Sequence, residues 1–115
     1  MSLLTDVKAL LTTVTNIYIS DMPSTPDAAV CLYNTGGYAR SLTGTKVEEP
    51  TFQVKVRNPV AATGLTTCAT IKDILHGYTG GKFLMIAQQG DVQDLGRDEN
   101  GRMEFTVNFR CYYRR

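Results

Sequence analysis

Two stretches of the chain carry apolar residues at helical spacing. The first lies near the start and presents one apolar stripe, made by Leu3, Val7, Leu10, Leu11 and Val14. The β-branched residues at 12–15 weaken the end of this helix. The second stretch covers residues 61–76, and Gly77 stands where a left-handed residue commonly ends a helix. We expect its core face to carry Leu65, Cys68, Ala69, Ile71, Ile74 and Leu75.

Two later segments alternate apolar and polar residues with a period of two, as strands with one buried face do. In residues 51–57 the core positions are Phe52, Val54 and Val56, and the opposite positions are Thr51, Gln53, Lys55 and Arg57. In residues 103–111 the core positions are Met103, Phe105, Val107, Phe109 and Cys111, which leaves Glu104, Thr106, Asn108 and Arg110 on the open face. Asn100 and Gly101 precede the second strand and predict a tight hairpin turn.

Shorter apolar runs predict the remaining strands. Residues 17–19 suit a short strand, and residues 28–33 suit a compact apolar one. Residues 83–87 are apolar on both sides, so we expect them at the centre of the sheet. Two prolines within residues 21–27 predict a loop, and residues 38–50 are interpreted as a long exposed loop or ribbon. The order of elements predicts an α+β fold with a mainly antiparallel, four- to five-stranded sheet and two helices packed on it.

The composition is that of one small globular domain. With 115 residues, the chain is expected to form a single domain over residues 1–115. The formal net charge of +1 is too small for a protein that binds nucleic acid or a membrane surface through its overall charge. No apolar run is long enough to cross a bilayer and no signal peptide is visible, so we expect a cytoplasmic setting and no membrane partner. The three scattered cysteines are interpreted as small buried residues.

Few residues could carry catalysis or bind a metal. His76 is the only histidine, and its place at the end of the second predicted helix favours an interaction with the helix dipole over a catalytic role. One histidine and three scattered cysteines match no zinc spacing. The glycine-rich residues 77–83 lack the spacing of a phosphate-binding loop, and residues 94–101 lack that of a calcium loop. The sequence therefore predicts no catalytic residue, no cofactor, no metal and no enzyme activity.

The polar face of the predicted sheet allows two interpretations. Lys55, Arg57 and Arg110 lie beside Glu104 on this face. The face is either exposed to solvent or, together with residues 38–50, meets neighbouring copies of the chain, because free strand edges must be covered or paired. Nucleic-acid binding by the basic and aromatic residues 110–115 is a further alternative, and the near-neutral charge argues against it.

Several blocks of the sequence together resemble the small minor capsid and tail-completion proteins of long-tailed bacteriophages. The blocks are AVCLYNTGG at residues 29–37, EPTFQVKVRN at 49–58, IKDILHG at 71–77, QQGD at 88–91, LGRDENGR at 95–102 and FTVNFR at 105–110. They span residues 28–110, which is most of the chain. The resemblance implies a structural virion protein of the tail terminator class, an α+β subunit whose homohexameric ring caps the tail tube and joins the tail to the head connector.

The same resemblance implies the partners and the location. The partners would be further copies of this chain, the tail tube protein and the head-tail connector protein, with the genome DNA only passing through the channel of the ring. The protein would be assembled in the bacterial host cytoplasm and would reside in the tail or neck of the virion. An alternative in the same class is a head-tail adaptor or stopper, a head-completion protein on the portal side.

Exposure and charge, rather than a family signature, select the candidate contact residues. They are Arg40, Lys46, Glu48 and Glu49 within residues 38–50, and Arg97, Asp98 and Glu99 at the predicted hairpin. We expect one face of the ring to match the end of the tube and the other to bind the head-completion protein, so that tube growth stops. Carboxylates facing the channel would keep DNA mobile by repulsion between like charges.

Overall fold

The computed structural model describes residues 3–37 and 47–114. In chain order the elements are α1 (Leu3–Leu10), β1 (Ile17–Ile19), β2 (Ala29–Gly37), β3 (Val47–Glu48), β4 (Pro50–Asn58), α2 (Ala61–Leu75), β5 (Phe83–Arg97) and β6 (Met103–Arg114). Both predicted helices are present, and α1 ends just before the β-branched residues at 12–15. Gly77 adopts the left-handed conformation that was predicted after α2, with φ of 80°.

Among the described residues, one mixed sheet of six strands carries the fold. The strands follow the order β1-β2-β4-β6-β3, and β5 pairs with β6. The pair of β1 with β2 is parallel and the other pairs are antiparallel, which confirms the predicted α+β class with a mainly antiparallel sheet. Since β4 and β5 both pair with residues 103–110 of β6, they lie on opposite edges of that strand. The central strand on this side of the sheet is therefore β6.

The prediction that residues 83–87 form a central strand is wrong. They begin β5, which pairs with β6 alone, and Leu84 and Met85 are 40% and 46% exposed. The register shifts between Phe83 and Met85, so an extra residue bulges there. The bulge lets Phe83 and Ile86 both reach the core although they are three residues apart. The apolar residues on the other side of the run, Leu84 and Met85, are exposed, and no further strand of the sheet covers them among the described residues.

Both helices pack on the same face of the sheet and bury one core. Helix α1 lies on β1 and β2, and α2 lies on β4, β5 and β6. The core side chains include Leu4, Val7, Leu11, Phe52, Val54, Val56, Cys68, Ile71, Leu75, Phe105, Val107 and Phe109. Phe52 and Phe109 stack with ring centroids 5.3 Å apart. The core face of α2 begins at Gly64, which is buried, whereas the predicted core residues Leu65 and Ala69 are exposed. The reason is that Gly64 lets the helix backbone approach the Phe105 ring.

The opposite face of the sheet is polar, as the alternation in β4 and β6 predicted. Two residues expected to be open on it are nevertheless buried: Arg57 and Thr106 are each 4% exposed. Arg57 is covered because it binds the backbone of residues 26 and 27. Thr106 lies between its cross-strand neighbours Lys55 and Gln93, whose longer side chains flank it.

The predicted hairpin joins β5 to β6, although its turn is wider than a two-residue turn. The connection covers residues 98–102. The N–H of Asp98 donates to the carbonyl of Arg102 at 2.8 Å, and the N–H of Gly101 donates to the carbonyl of Asp98 at 3.0 Å. Gly101 has φ of 78°, which explains why glycine follows Asn100. The Asp98 side chain binds backbone N–H groups across this five-residue connection.

Candidate assembly surfaces

The contact residues predicted from the sequence fall into two groups at opposite ends of β6. Glu48 lies in β3 opposite Tyr113, and Glu49 follows it in the link to β4. Arg97 lies opposite Met103, and Asp98 and Glu99 follow in the turn. Tyr113 and Met103 are ten residues apart, which is about 33 Å along an extended strand. The other two candidates, Arg40 and Lys46, lie outside the described residues.

We call the two groups the β3 end (Glu48, Glu49 and the last residues of β6) and the turn end (residues 97–102 with the loop 24–27). The long dimension of the molecule is 49 Å, against 25 and 23 Å in the other directions. A separation of about 33 Å along β6 is therefore a large part of the molecule's length. One subunit thus presents charged residues at two well-separated ends.

The turn end is organised by Asp98. Its carboxylate accepts hydrogen bonds from the backbone N–H groups of Asn100 and Arg102, both at 2.9 Å, and from Nε of Arg102 at 2.8 Å. The backbone N–H of Arg102 contributes most to lowering the pKa of Asp98, and the Arg102 side chain and the Asn100 N–H add to the shift. Asp98 therefore shapes the turn, while Glu99 stays exposed beside it.

Two buried arginines fix the loop 24–27 to the turn end. Arg57 donates from Nη2 to the carbonyl of Pro26 at 2.6 Å and from Nε to that of Asp27 at 3.2 Å. Arg102 donates from Nη1 to the carbonyl of Ser24 at 2.5 Å and lies 3.4 Å from the Asp27 carboxylate. Buried guanidinium groups need such acceptors, since a buried charge without partners is costly. The turn end is therefore held in one shape.

The sequence pattern did not identify Arg57 and Arg102 as organising residues. Alternation in β4 assigned Arg57 to the open face, and no pattern singled out Arg102. The one available sign was the spacing of Asp98 and Arg102, four residues apart, which allows an ion pair. The carbonyls that bind both arginines come from residues 24–27, which are distant along the chain.

Arg97, a predicted contact residue, is used within the subunit. Its Nη1 donates to the carbonyl of Gly101 at 2.6 Å and to that of Pro59 at 3.4 Å. These bonds link the end of β5 to the turn and to the residue before α2. Of the three turn candidates, Glu99 is the one whose carboxylate is left exposed with no such organising role.

At the β3 end, the last strand is tied to the first helix. The Tyr113 hydroxyl donates a short hydrogen bond to the Asp6 carboxylate. Burial is the main reason why the pKa of Tyr113 rises to about 12, and the Asp6 bond adds to it. The backbone N–H of Arg114 donates to the carbonyl of Lys82 at 2.8 Å. Glu48, Glu49, Lys82 and Arg114 thus share this end of the molecule.

The polar face of the sheet is crossed by side-chain pairs between neighbouring strands. Lys55 lies 3.3 Å from Glu104, and Gln53 donates to Asn108 at 3.1 Å. The hydroxyls of Thr35 and Thr51 are 2.7 Å apart. The Arg110 guanidinium lies 5.3 Å from the centre of the Tyr112 ring. Charges and amides on this face largely satisfy one another, and both interpretations of the face, solvent or neighbouring copies, fit that arrangement.

The groups with catalytic potential have structural roles. Nδ1 of His76, at the end of α2, accepts the backbone N–H of Gln88 at 3.0 Å and so joins the helix to β5. Burial raises the pKa of Cys68 to about 11 and that of Cys111 to about 12, which disfavours the reactive thiolates. Within residues 3–37 and 47–114, no three His, Cys, Asp or Glu side chains could hold a metal together.

Hollows open on the surface of the described residues, and two of them are lined by the helices. The larger, of about 310 Å³, lies between α2 and residues 13–15 and is lined mainly by threonines and small apolar residues. The smaller, of about 230 Å³, lies between α1 and the start of β5, with Leu10, Tyr78 and Phe83 in its wall. In the described part of the chain, no helix is both long and apolar enough to span a membrane.

Comparison with known proteins gives one family and a structural likeness. The sequence profile of a family described as "Bacteriophage tail terminator protein" matches residues 5–115. No curated protein matches the chain in sequence. Among solved structures, a chain from "Virion of native gene transfer agent (GTA) particle" is similar, with a TM-score of 0.72 and 15% sequence identity over 95% of this chain and 92% of that one. At this identity the likeness concerns the fold.

Proposed function

We propose that this chain, which belongs to the bacteriophage tail terminator family, closes the tail tube as a ring of six copies and joins the tail to the head connector. Membership of the family makes it a structural, tail-associated component of the virion. In this proposal the protein acts through its shape and its contacts, and no step needs a reactive group. The ring, the tube protein and the connector are the parts that experiments must establish.

The separation of the two charged ends supports this proposal. A terminator has to contact the finished tube on one side and the head on the other. Glu48 and Glu49 lie at one end of β6, and Glu99 lies at the other. A ring of copies standing side by side would turn all β3 ends to one face and all turn ends to the other, since identical subunits repeat the same orientation around a closed ring. Growth would stop because the second face differs from the first.

The turn end is suited to a preformed contact. Arg57, Arg102 and Asp98 hold its backbone in one shape within the free subunit. Binding to the next component would then require little loss of conformational entropy.

The polar sheet face carries an ion pair, Lys55 with Glu104, whose charges balance. If this face lines the channel of the ring, it would offer DNA few unpaired charges to bind. The expectation that carboxylates face the channel stays a prediction.

Electron microscopy of the purified protein, alone and mixed with tail tubes, tests the proposal. We expect sixfold rings at tube ends and tubes of limited length. Glu49→Lys and Glu99→Lys form a matched pair, because each reverses one charge at one end. Each variant should lose one attachment and keep the other, so that one still caps tubes without joining heads and the other joins heads without capping tubes.

Three outcomes would count against the proposal. Tubes that lengthen unchecked in the presence of the protein would contradict termination. If both variants fold but lose both attachments, the two ends do not bind different components. A pull-down that recovers the portal and no tube protein would favour the adaptor or stopper on the portal side.

A further inference from the structure

The outer edge of β5 is covered by the short connection that precedes it. Residues 76–78 follow α2 and run along β5 on the side away from β6. The N–H of Gly77 donates to the carbonyl of Ile86 at 2.7 Å, and the N–H of Ile86 donates to the carbonyl of Tyr78 at 3.1 Å. The N–H of Gln88 donates to Nδ1 of His76 at 3.0 Å. Both backbone groups of Ile86 and the N–H of Gln88, which could otherwise pair with another strand, are thus occupied.

Further along the same edge, local contacts continue the cover. The side chain of Gln88 donates to the carbonyl of Gly90 at 2.7 Å, and the Asp91 carboxylate accepts the N–H of Val92 at 2.7 Å. The register with β6 shifts between Gln89 and Gln93, so the strand is irregular there. Bulges and local bonds of this kind are known means of protecting a sheet edge. Phe83 exchanges two backbone hydrogen bonds with Gly80, at 2.8 and 2.9 Å. The regular stretch between the register shifts, residues 85–89, depends on residues 76–78 for its protection.

The protected stretch has the composition of a strand that pairs with copies of itself. Residues 83–90 contain no charged residue and no proline. Leu84 and Met85 are exposed large apolar side chains within this stretch. Uncharged apolar segments of about six residues pair readily with identical segments once their edge is free. The expected partner of an uncovered β5 is therefore the same strand of a second copy of this chain.

The bond from Gln88 depends on the protonation state of one side chain. Nδ1 of His76 can accept the N–H only while that nitrogen carries no proton. His76 is exposed and is the single histidine of the chain. The charged side chains that precede it on the last turn of α2 are Lys72 and Asp73. On β5, Asp91 pairs with Lys72 at 3.0 Å, and the titratable Tyr78 lies in the connection. Histidine is the side chain that ordinarily changes charge between pH 5 and 8.

We propose that residues 76–78 are a guard that keeps the edge of β5 from pairing with other copies of the chain, and that His76 makes this guard sensitive to acid. When Nδ1 takes up a proton, it faces the N–H of Gln88 as a second donor. The ring then turns away and the Gln88 amide is freed. The two hydrogen bonds between Ile86 and residues 77–78 are weakened, because the adjacent bond that held the same segment to β5 is gone. This property is independent of the ring proposed above.

The test compares three proteins at about pH 7.5 and about pH 5, chosen to bracket histidine titration. They are the unchanged protein, His76→Asn, whose Oδ1 stands near the place of Nδ1 and accepts at either pH, and His76→Ala, which has no acceptor. Light scattering and a fluorescent dye for cross-β structure report association, and hydrogen exchange reports the Gln88 amide. A fourth protein, His76→Ala with Met85→Lys, places a charge on the freed edge.

We expect the unchanged protein to associate only in acid, His76→Asn at neither pH, and His76→Ala at both. Hydrogen exchange of the Gln88 amide should be about fivefold faster in His76→Ala than in the unchanged protein at neutral pH, because one hydrogen bond is lost. Adding Met85→Lys should abolish the association. The proposal is overturned if acid does not make the unchanged protein associate, or if acid acts equally on His76→Asn. It is also overturned if His76→Ala behaves like the unchanged protein, or if the double variant with Met85→Lys still associates. Failure of the ring proposal would leave these results unaffected.

Discussion

The hydroxyl of Tyr113, near the end of β6, donates a hydrogen bond to the carboxylate of Asp6 in α1. The bond joins two residues that are 107 positions apart in the sequence. Helix α1 has eight residues, too few to be stable in isolation. Its stability must come from packing on the sheet and from contacts of this kind.

Replacing Tyr113 with Phe should lower the free energy of unfolding by about 1 kcal/mol, the usual net contribution of one hydrogen bond. The ring remains to fill the core beside Phe83, whose centroid is 5.2 Å away, so packing should be preserved. Urea denaturation measures the change. Tyr18→Phe is the matched control, because Tyr18 is also partly buried and should show little loss. Equal losses in the two variants would contradict a role for the Asp6 bond.

Alkaline pH should destabilise the protein in a defined range. Burial is the main cause that raises the pKa of Tyr33 and of Tyr113 from 10.0 to about 12. A group whose pKa is higher in the folded state contributes its full stability below its unfolded pKa and loses it as the pH rises through the folded value. Stability should therefore fall between pH 10 and about 12.

Urea midpoints across this range, read together with tyrosinate absorbance, test the alkaline prediction. Tyr113→Phe should show a shallower fall than the unchanged protein, because one of the two contributing tyrosines is gone. The buried Cys68 and Cys111, whose pKa values rise from 9.0 to about 11 and about 12, add to the loss from pH 9 upward in both proteins. Tyrosines that all ionise together near their ordinary pKa, with no change in stability, would refute this account.

Gly64→Ala should destabilise the protein even though alanine favours helices. A Cβ atom at this position would stand 2.6 Å from Cε2 of the buried Phe105 ring. Overpacking of this kind costs about 1–3 kcal/mol, against a gain of about 1 kcal/mol in helix propensity. The expected net loss is about 1 kcal/mol. Thermal unfolding measures it.

The double variant Gly64→Ala with Phe105→Leu provides the control for this clash. The smaller side chain should make room for the new methyl group, so the two changes together should cost less than the sum of their separate effects. Strict additivity would mean that residues 64 and 105 do not interact.

Arg102→Ala should loosen the turn end. Arg102 is 6% exposed, and its guanidinium binds the Ser24 carbonyl and the Asp98 carboxylate. Its removal takes the side-chain donor from the Ser24 carbonyl and leaves Asp98 with only its two backbone donors, which should cost about 2–3 kcal/mol. Arg102→Lys keeps the charge but cannot reach several acceptors, so an intermediate loss is expected. Hydrogen exchange in residues 98–102 should increase in both variants, and unchanged protection there would contradict the organising role.

Local pattern was sufficient for much of the fold. The alternation in β4 and β6 identified which face each residue would occupy, because adjacent side chains of a strand point to opposite sides. The helical spacing and Gly77 marked the extent of α2. The position of β5 in the sheet could not be predicted in this way. Residues 83–87 are apolar like a central strand, but a bulge between Phe83 and Met85 breaks the alternation that would have marked their buried face.

The candidate contact residues show a similar division. Charge and turn signals drew attention to Glu48, Glu49 and Glu99, and these stand at the two ends of the molecule. The Glu49→Lys and Glu99→Lys variants test the proposed contact at each end. Arg97 and Asp98 were selected by the same signals, and the structure gives both an organising role inside the turn.

Spacing among near neighbours in the chain was enough to predict the kinds of elements, the buried faces of β4 and β6 and the lack of a recognisable catalytic motif. The packing of the folded chain was needed to show that β6 is central, that Arg57 is buried and that His76 binds the edge of β5. Each of these depends on residues far apart in the chain: Arg57 on the carbonyls of residues 26 and 27, and His76 on the Gln88 amide. Such contacts exist only after the chain has folded, so no local periodicity records them.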